Sequence, residues 1–266
     1  MMFRFTLLFP VAMLLGVTSF AAHADDASPI CTDRPTKANG TCTVPKGSWQ
    51  LETDIGNDTH DARPGSTTDT LYYINPYLKY GLGAHTDIEV SWAPSIRLRT
   101  KSGGISKTDH GSGDLYLRLK TALYSGDVFS ASIIPFVKAP TAPTGFGNDK
   151  WEGGVAIPMS AAIGGGFTLT IGPELDELAD ADGSGRHLSI TNLVNLAHPI
   201  TSKLSVAVEY WRQDNHDPAG HVKQESGDIA FSYAVNRDLQ LDVGANVGLT
   251  STTPDDQVYL GLSYRW

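Results

Sequence analysis

"QVYLGLSYRW", residues 257–266, decides the fold class of this chain. Val258, Leu260, Leu262, Tyr264 and Trp266 alternate with Tyr259, Gly261, Ser263 and Arg265, the period of a β-strand with two unlike faces. A strand that finishes on its largest aromatic needs something apolar to cover that ring. A soluble sandwich or lipocalin-like barrel would cover it with protein core, and a membrane barrel would cover it with the lipid interface.

The same alternation recurs almost everywhere after Ser48, and helical spacing almost nowhere. In "SWQLETDIG" (48–56), Trp49, Leu51 and Ile55 oppose Gln50, Glu52 and Asp54. "LYYINPYLKY" (71–80) sets Tyr72, Ile74, Pro76, Leu78 and Tyr80 against Tyr73, Asn75, Tyr77 and Lys79. "TDIEVSWAPSI" (86–96) sets Ile88, Val90, Trp92, Pro94 and Ile96 against Asp87, Glu89 and Ser91. "GDLYLRLKTAL" (113–123) sets Leu115, Leu117, Leu119 and Leu123 against Asp114, Tyr116, Arg118 and Lys120. Further segments continue the series to about twelve strands of roughly nine to twelve residues, enough to cross a hydrocarbon band of ~25 Å at a ~45° tilt.

The connections alternate as well. "GLGAHT", "YSGD", "GGG", "PITSK" and "NRD" are short, whereas residues 57–69, 97–112, 140–148, 176–186 and 213–222 are longer and polar; only 251–256 is modest. Short turns inside and long loops outside are what an outer-membrane barrel requires. The expected fold is therefore all-β: one antiparallel transmembrane barrel over residues 48–266, in the outer membrane of a Gram-negative bacterium. Trp49, Tyr72, Tyr80, Trp92, Trp151, Tyr210, Tyr264 and Trp266 are its expected interfacial aromatics. Trp266 would sit in the periplasmic girdle, and the C-terminal strand would address the barrel-assembly machinery.

Residues 1–24 read as a signal peptide: Arg4, an apolar run over 5–20, and "AHA" at 22–24. No later stretch approaches the ~20 consecutive apolar residues of a membrane helix. The net charge of −9 argues against a nucleic-acid partner. Cys31 and Cys42, the two cysteines, read as a disulfide in an oxidising compartment, contributing roughly 2.5–3 kcal/mol in the chain-entropy model. Residues 25–47, with Pro29, Pro35 and Pro45, are too polar and proline-rich for a strand. They form either a mobile periplasmic tail or a compact hatch narrowing the channel, with Arg34 and Lys37 reaching luminal acids such as Glu52 or Asp54.

Four stretches carry a resemblance: "TDRPT" (32–36), "VPKGSWQLETDIG" (44–56), "YGLGAHTDIEVSW" (80–92) and "GSGDLYLRLK" (111–120). Together they resemble an outer-membrane transporter family linked to the meta-pathway of phenol degradation. The resemblance implies a passive channel for small aromatic or otherwise hydrophobic compounds, and brings no catalytic residues with it.

The face opposite the lipid supplies the candidate substrate path: Glu52, Asp54, Asn75, Lys79, Asp87, Glu89, Asp114, Arg118, Lys120, Glu174, Glu209 and Asp242, with Asp228, Asn246, Arg265, Tyr73, Tyr77, Tyr116 and Trp211 among them. Twelve strands lie between the eight whose side chains fill the interior and the sixteen that leave an aqueous channel, so a narrow path and a filled lumen both remain open. The pairs Glu52/Asp54 and Asp87/Glu89 share a face by alternation alone, and His85, His187 and His198 accompany no nucleophile motif. The chain thus reads as a channel rather than an enzyme, with no cofactor. A loop-mediated receptor or adhesin anchored by its barrel, and a lipid-modifying barrel, are the alternatives. "DADGSG" (180–185) matches half of a calcium loop, but Thr191 holds the twelfth place. "RLRTKSGGISK" (97–107) is a basic outer stretch, either solvated or meeting lipopolysaccharide phosphates.

Overall fold

Strand follows strand from Trp49 to Arg265, and no helix interrupts them among the described residues. The computed structural model describes residues 29–266, so the expected signal peptide lies outside the described residues. The wall is first crossed by β1 (Trp49–Arg63), then by β2 (Ser66–Ile74) with β3 (Tyr77–Gly81), and by β4 (Thr86–Ser91) with β5 (Ser95–Ser102). β6 (Ile105–Gly111) with β7 (Leu115–Ser125), β8 (Phe129–Ala139), and β9 (Glu152–Ala156) with β10 (Met159–Gly164) complete its first half. The second half holds β11 (Phe167–Ile171) with β12 (Glu174–Ala179), β13 (Arg186–Pro199), β14 (Leu204–Asn215), β15 (Val222–Ala234), β16 (Leu239–Gly248) and β17 (Asp256–Arg265). Counting each paired set as one crossing gives twelve antiparallel crossings. β1 and β17 pair from Gln50↔Arg265 to His60↔Asp256, which closes the sheet and leaves no edge.

The two-piece crossings have a chemical cause. Pro76, Pro94, Pro158 and Pro173 stand at four of the five gaps and Gly113 at the fifth. Proline has no amide to give the ladder, and glycine tolerates the bend that results. The gaps remain bridged: Gly113 N–H donates to Ala93 C=O at 2.8 Å, Ser132 to Pro158 at 3.0 Å and Ile157 to Pro173 at 2.9 Å. Pro135 stays inside β8, opposite Val155.

These irregularities correct two readings of the alternation. A register shift between Tyr72 and Ile74 turns Tyr72 into the lumen and Tyr73 outward. Tyr72 is therefore no part of the aromatic girdle. The gap between β4 and β5 likewise turns Ile96 inward, where it is 4% exposed. An unbroken count of two runs straight through a bulge, and a slip of one residue exchanges the faces.

Two expected outer loops are also strand. β1 and β2 pair as far as Arg63↔Ser66, and β5 and β6 as far as Ser102↔Ile105. The β5–β6 turn is made by Gly103 and Gly104 at φ 55° and 80°, a region open to glycine at no steric cost. Both hairpins are polar on each face, so hydrophobic alternation gave no signal for them.

The outward face is apolar around the wall. Val208, Ile229, Val243 and Leu260 are each close to half exposed, and Tyr264 and Trp266 stack at 5.7 Å beside the chain's last strand. Trp49 meets Tyr80 at 4.7 Å on the same rim, while Trp92 and Trp151 point outward higher up. Ile229→Arg, on this lipid face, should destabilise the barrel in bilayers by about 2–4 kcal/mol in denaturant titrations. Ser232→Ala on the opposite face serves as the neutral reference.

Candidate functional site: a filled lumen and the chamber above it

Residues 29–46 enter the lumen from the short-turn end. Ile30 N–H donates to Arg237 C=O at 2.7 Å in the β15–β16 turn, and Lys46 bridges to Gly81 at the end of β3. Between these ties the Cys31–Cys42 disulfide closes a loop, its Cα atoms 6.2 Å apart. The close approach of Pro45 to β3 depends on Gly81, where a Cβ would run into the Pro45 carbonyl.

Asp33 is the centre of this segment's attachment. Its carboxylate meets Lys79 at 2.5 Å, Lys120 at 2.5 Å and Arg118 at 3.8 Å. It also accepts from Gly40 N–H at 2.7 Å, while its own amide donates to Glu52 at 2.9 Å. Burial pushes the Asp33 carboxyl up, but Lys120, Lys79 and Arg118 outweigh it and hold the group well below the usual carboxylate range. Around this hub Glu52 meets Lys79 at 2.6 Å and Glu89 meets Arg118 at 3.0 Å.

The rest of the segment is held as closely. Arg34 donates to Asp54 at 2.7 Å and, through two nitrogens, to Asp242 at 3.0 and 2.7 Å. Its guanidinium fills the space left by Gly261 on β17. Lys37 reaches Asp228 at 2.6 Å, and the amides of Lys37 and Ala38 both donate to Glu209 at 3.0 Å. Val44 N–H donates to Asp87 at 2.7 Å, and Arg118 donates to Asn39 at 2.6 Å.

Nine of the candidate lumen residues thus touch one segment: Glu52, Asp54, Lys79, Asp87, Arg118, Lys120, Glu209, Asp228 and Asp242, and Glu89 reaches it only through Lys79 and Arg118. Asn75 and Glu174 instead line open space above it. Asp114 stands apart, accepting from the Thr141 and Ala142 amides at 2.9 and 2.8 Å and pairing with Lys138 at 3.3 Å. Sequence reasoning passed over Asp33, and over Gln50, which is 1% exposed and donates to the Cys31 carbonyl at 2.7 Å. A signal was there: Lys79, Arg118 and Lys120 on one wall demand a buried anion, and Asp33 is the carboxylate inside the cysteine loop.

Above the segment lies a chamber of about 400 Å³. Asp33, Arg34, Lys37 and Asn39 form its floor, and Tyr77, Tyr116, Ile134, Phe136, Ala156 and Tyr259 supply much of its wall. The aromatic rings face cations below them, with Arg118 5.2 Å from the Tyr77 ring and Arg34 5.7 Å from that of Tyr259. Two smaller cavities of about 200 and 220 Å³ continue beside Thr36, Ala38 and Asn39, along β11 and β13 to β15.

Outside the lumen, the half calcium loop does not gather its carboxylates. Asp180 bonds His187 at 2.9 Å, and Asp182 accepts from Ser184 N–H at 2.8 Å. Among the described residues no cluster of His, Cys, Asp and Glu is arranged to hold a metal ion.

Residues 32–266 match the family described as "Putative MetA-pathway of phenol degradation". No curated protein matches the sequence. Among solved structures, the chain is similar to an outer-membrane channel from Pseudomonas putida F1, at 12% identity and a TM-score of 0.68, covering 85% of this chain and 98% of that one. The NanC porin is similar at 9% identity and a TM-score of 0.52, over 80% and 98% of the two chains. The translocator domain of the autotransporter NalP from Neisseria meningitidis follows at 11% and 0.51, over 84% and 90%. At such identities the likeness is one of fold, a closed outer-membrane barrel.

Proposed function

This chain belongs to the phenol-degradation family that it matches over residues 32–266, and on that premise we propose that it is a passive outer-membrane channel for small aromatic or otherwise hydrophobic compounds. The chamber carries the reading. A cavity of about 150 Å³ holds a benzene ring, so one of about 400 Å³ accommodates a substituted aromatic. Tyr77, Tyr116, Ile134, Phe136 and Tyr259 offer apolar contact, while Asn75 and Glu174 offer hydrogen bonds to a hydroxyl. The similar channel from Pseudomonas putida F1 agrees with such a role.

In this reading residues 29–46 are the hatch. Solute enters between the outer hairpins, rests in the chamber, and passes inward when the segment yields or along the two side cavities. Glu52, Asp54, Glu209, Asp228 and Asp242 hold the hatch. The bilayer surrounds the wall, lipopolysaccharide covers its outer rim, and β17 addresses the assembly machinery.

Phe136→Ala tests the chamber. Removing that ring takes away up to about 1.5–3 kcal/mol of apolar contact, so uptake of a labelled phenol below saturation should fall roughly tenfold or more. Heat-modifiable migration on gels should stay unchanged. Growth of a deletion strain on limiting phenolic substrates tests the role in cells. Slow growth rescued by the intact gene is expected, and normal growth on every such substrate would favour a receptor acting through the outer hairpins.

A further inference from the structure

The basic stretch at residues 97–107 has no part in the chamber, and strand register fixes where its cations point. Arg97, Arg99 and Lys101 are alternate residues of β5, so they share one face at intervals of roughly 6.5–7 Å. That face is the outer one. Val258, a lipid-facing residue of β17, pairs with Asp58, Asp58 pairs with Leu71, and Leu71 pairs with Arg97. His110 lies beside Arg97 on β6. Below Arg97 on the same crossing stands outward Trp92, so the row climbs from the upper edge of the apolar band along the outside of the β5–β6 hairpin.

No carboxylate lies at ion-pair distance from Arg97, Arg99 or Lys101 among the described residues, and Asp69 is the acid nearest to them that the ladder supplies. Asp69, which faces Arg99 across the ladder, is engaged by His60 at 2.6 Å. Across the barrel the outward face is treated differently: Arg212 is paired with Asp214 at 2.6 Å and Lys223 with Glu225 at 2.5 Å. A neutralised patch on one side and an open cationic row on the other, both near the outer lipid boundary, differ in what they can bind. Guanidinium groups match phosphate bidentately and an ammonium binds it as a point charge.

We infer that Arg97, Arg99 and Lys101, with His110 beside them, form a docking site for the phosphate groups of outer-leaflet lipopolysaccharide. Acyl chains of the same molecule would lie along Trp92 and Val90, beneath the row. The inference needs only the barrel's place in the outer membrane and is independent of what crosses the lumen.

Native mass spectrometry of the full-length protein with bisphosphorylated lipid A tests it. The intact protein should retain the lipid at least about tenfold more tightly than Arg97→Gln/Arg99→Gln/Lys101→Gln. Dephosphorylated lipid A should bind both weakly. Arg212→Gln/Lys223→Gln should bind lipid A like the unaltered protein, because it removes cations that are already paired. Equal retention by the triple variant overturns the inference, and so does equal loss in both multiple variants. Competition by inorganic phosphate at concentrations matching lipid A would assign the row to free phosphate and overturn the lipid assignment. If the triple variant fails the heat-modifiability check, Arg97→Gln alone is read with the same probe: weakened retention is expected, and unchanged retention overturns the site.

Discussion

Removal of residues 25–44 should raise single-channel conductance several-fold while the barrel still assembles. The wall closes through β1 and β17 without help from the N-terminal segment, so its ladder survives the deletion. What the deletion empties is the inner half of the lumen, where Asp33, Arg34 and Lys37 now occupy the space between opposite walls. Glu52, Asp54, Glu209, Asp228 and Asp242 would then face water, and the pore should become cation-selective. Reduction of Cys31–Cys42 should move conductance in the same direction by less, because the ion pairs to both walls remain. Unchanged conductance in both experiments would mean that the segment does not control the path.

The second large effect is expected at one residue. Asp33→Ala removes the anion shared by Lys79, Lys120 and Arg118; Glu52 and Glu89 still pair Lys79 and Arg118, but buried Lys120 loses the one ion-pair partner it has among the described residues. Breaking a buried pair from one side costs about 3–5 kcal/mol, enough to undock the segment without unfolding the wall. Channel recordings should show frequent open excursions, and the Val44 amide should lose its protection from hydrogen exchange. Lys120→Met in the same chain should restore part of the docking by removing one stranded charge. Because the folded Asp33 carboxyl titrates well below its ordinary value near 3.8, its contribution is complete above that ordinary value and is lost only as pH falls through the lower one. The effect of Asp33→Ala on open excursions should therefore be the same size at pH 5 as at pH 7, and an effect that vanishes at pH 5 would contradict the assignment.

How much of this was legible in the sequence follows from which signals are local. Alternation over β14 to β17 is regular, so strand type, the lipid face and the barrel are readable there directly. Where Pro76, Pro94, Gly113, Pro158 and Pro173 break the crossings, the count of two loses its phase, and Tyr72 and Ile96 change sides. The β5–β6 hairpin carries polar residues on both faces, so its strands left no hydrophobic trace. The luminal charges were visible as one face of many strands, but their partners lie far along the chain. Arg34 meets Asp242 across the barrel, and Asp33 draws together residues of β1, β3 and β7. Such convergence is a property of the closed wall, and no spacing in the sequence announces it.

The central claim is that a hatch-controlled chamber passes small aromatic compounds across the outer membrane. Influx of a labelled phenol into proteoliposomes, measured beside a labelled disaccharide, tests it most directly. The account predicts phenol influx above that of protein-free vesicles, reduced by Phe136→Ala, with disaccharide influx negligible until residues 25–44 are removed. Phenol influx equal to that of empty vesicles, or disaccharide influx as fast as phenol through the intact protein, would contradict it.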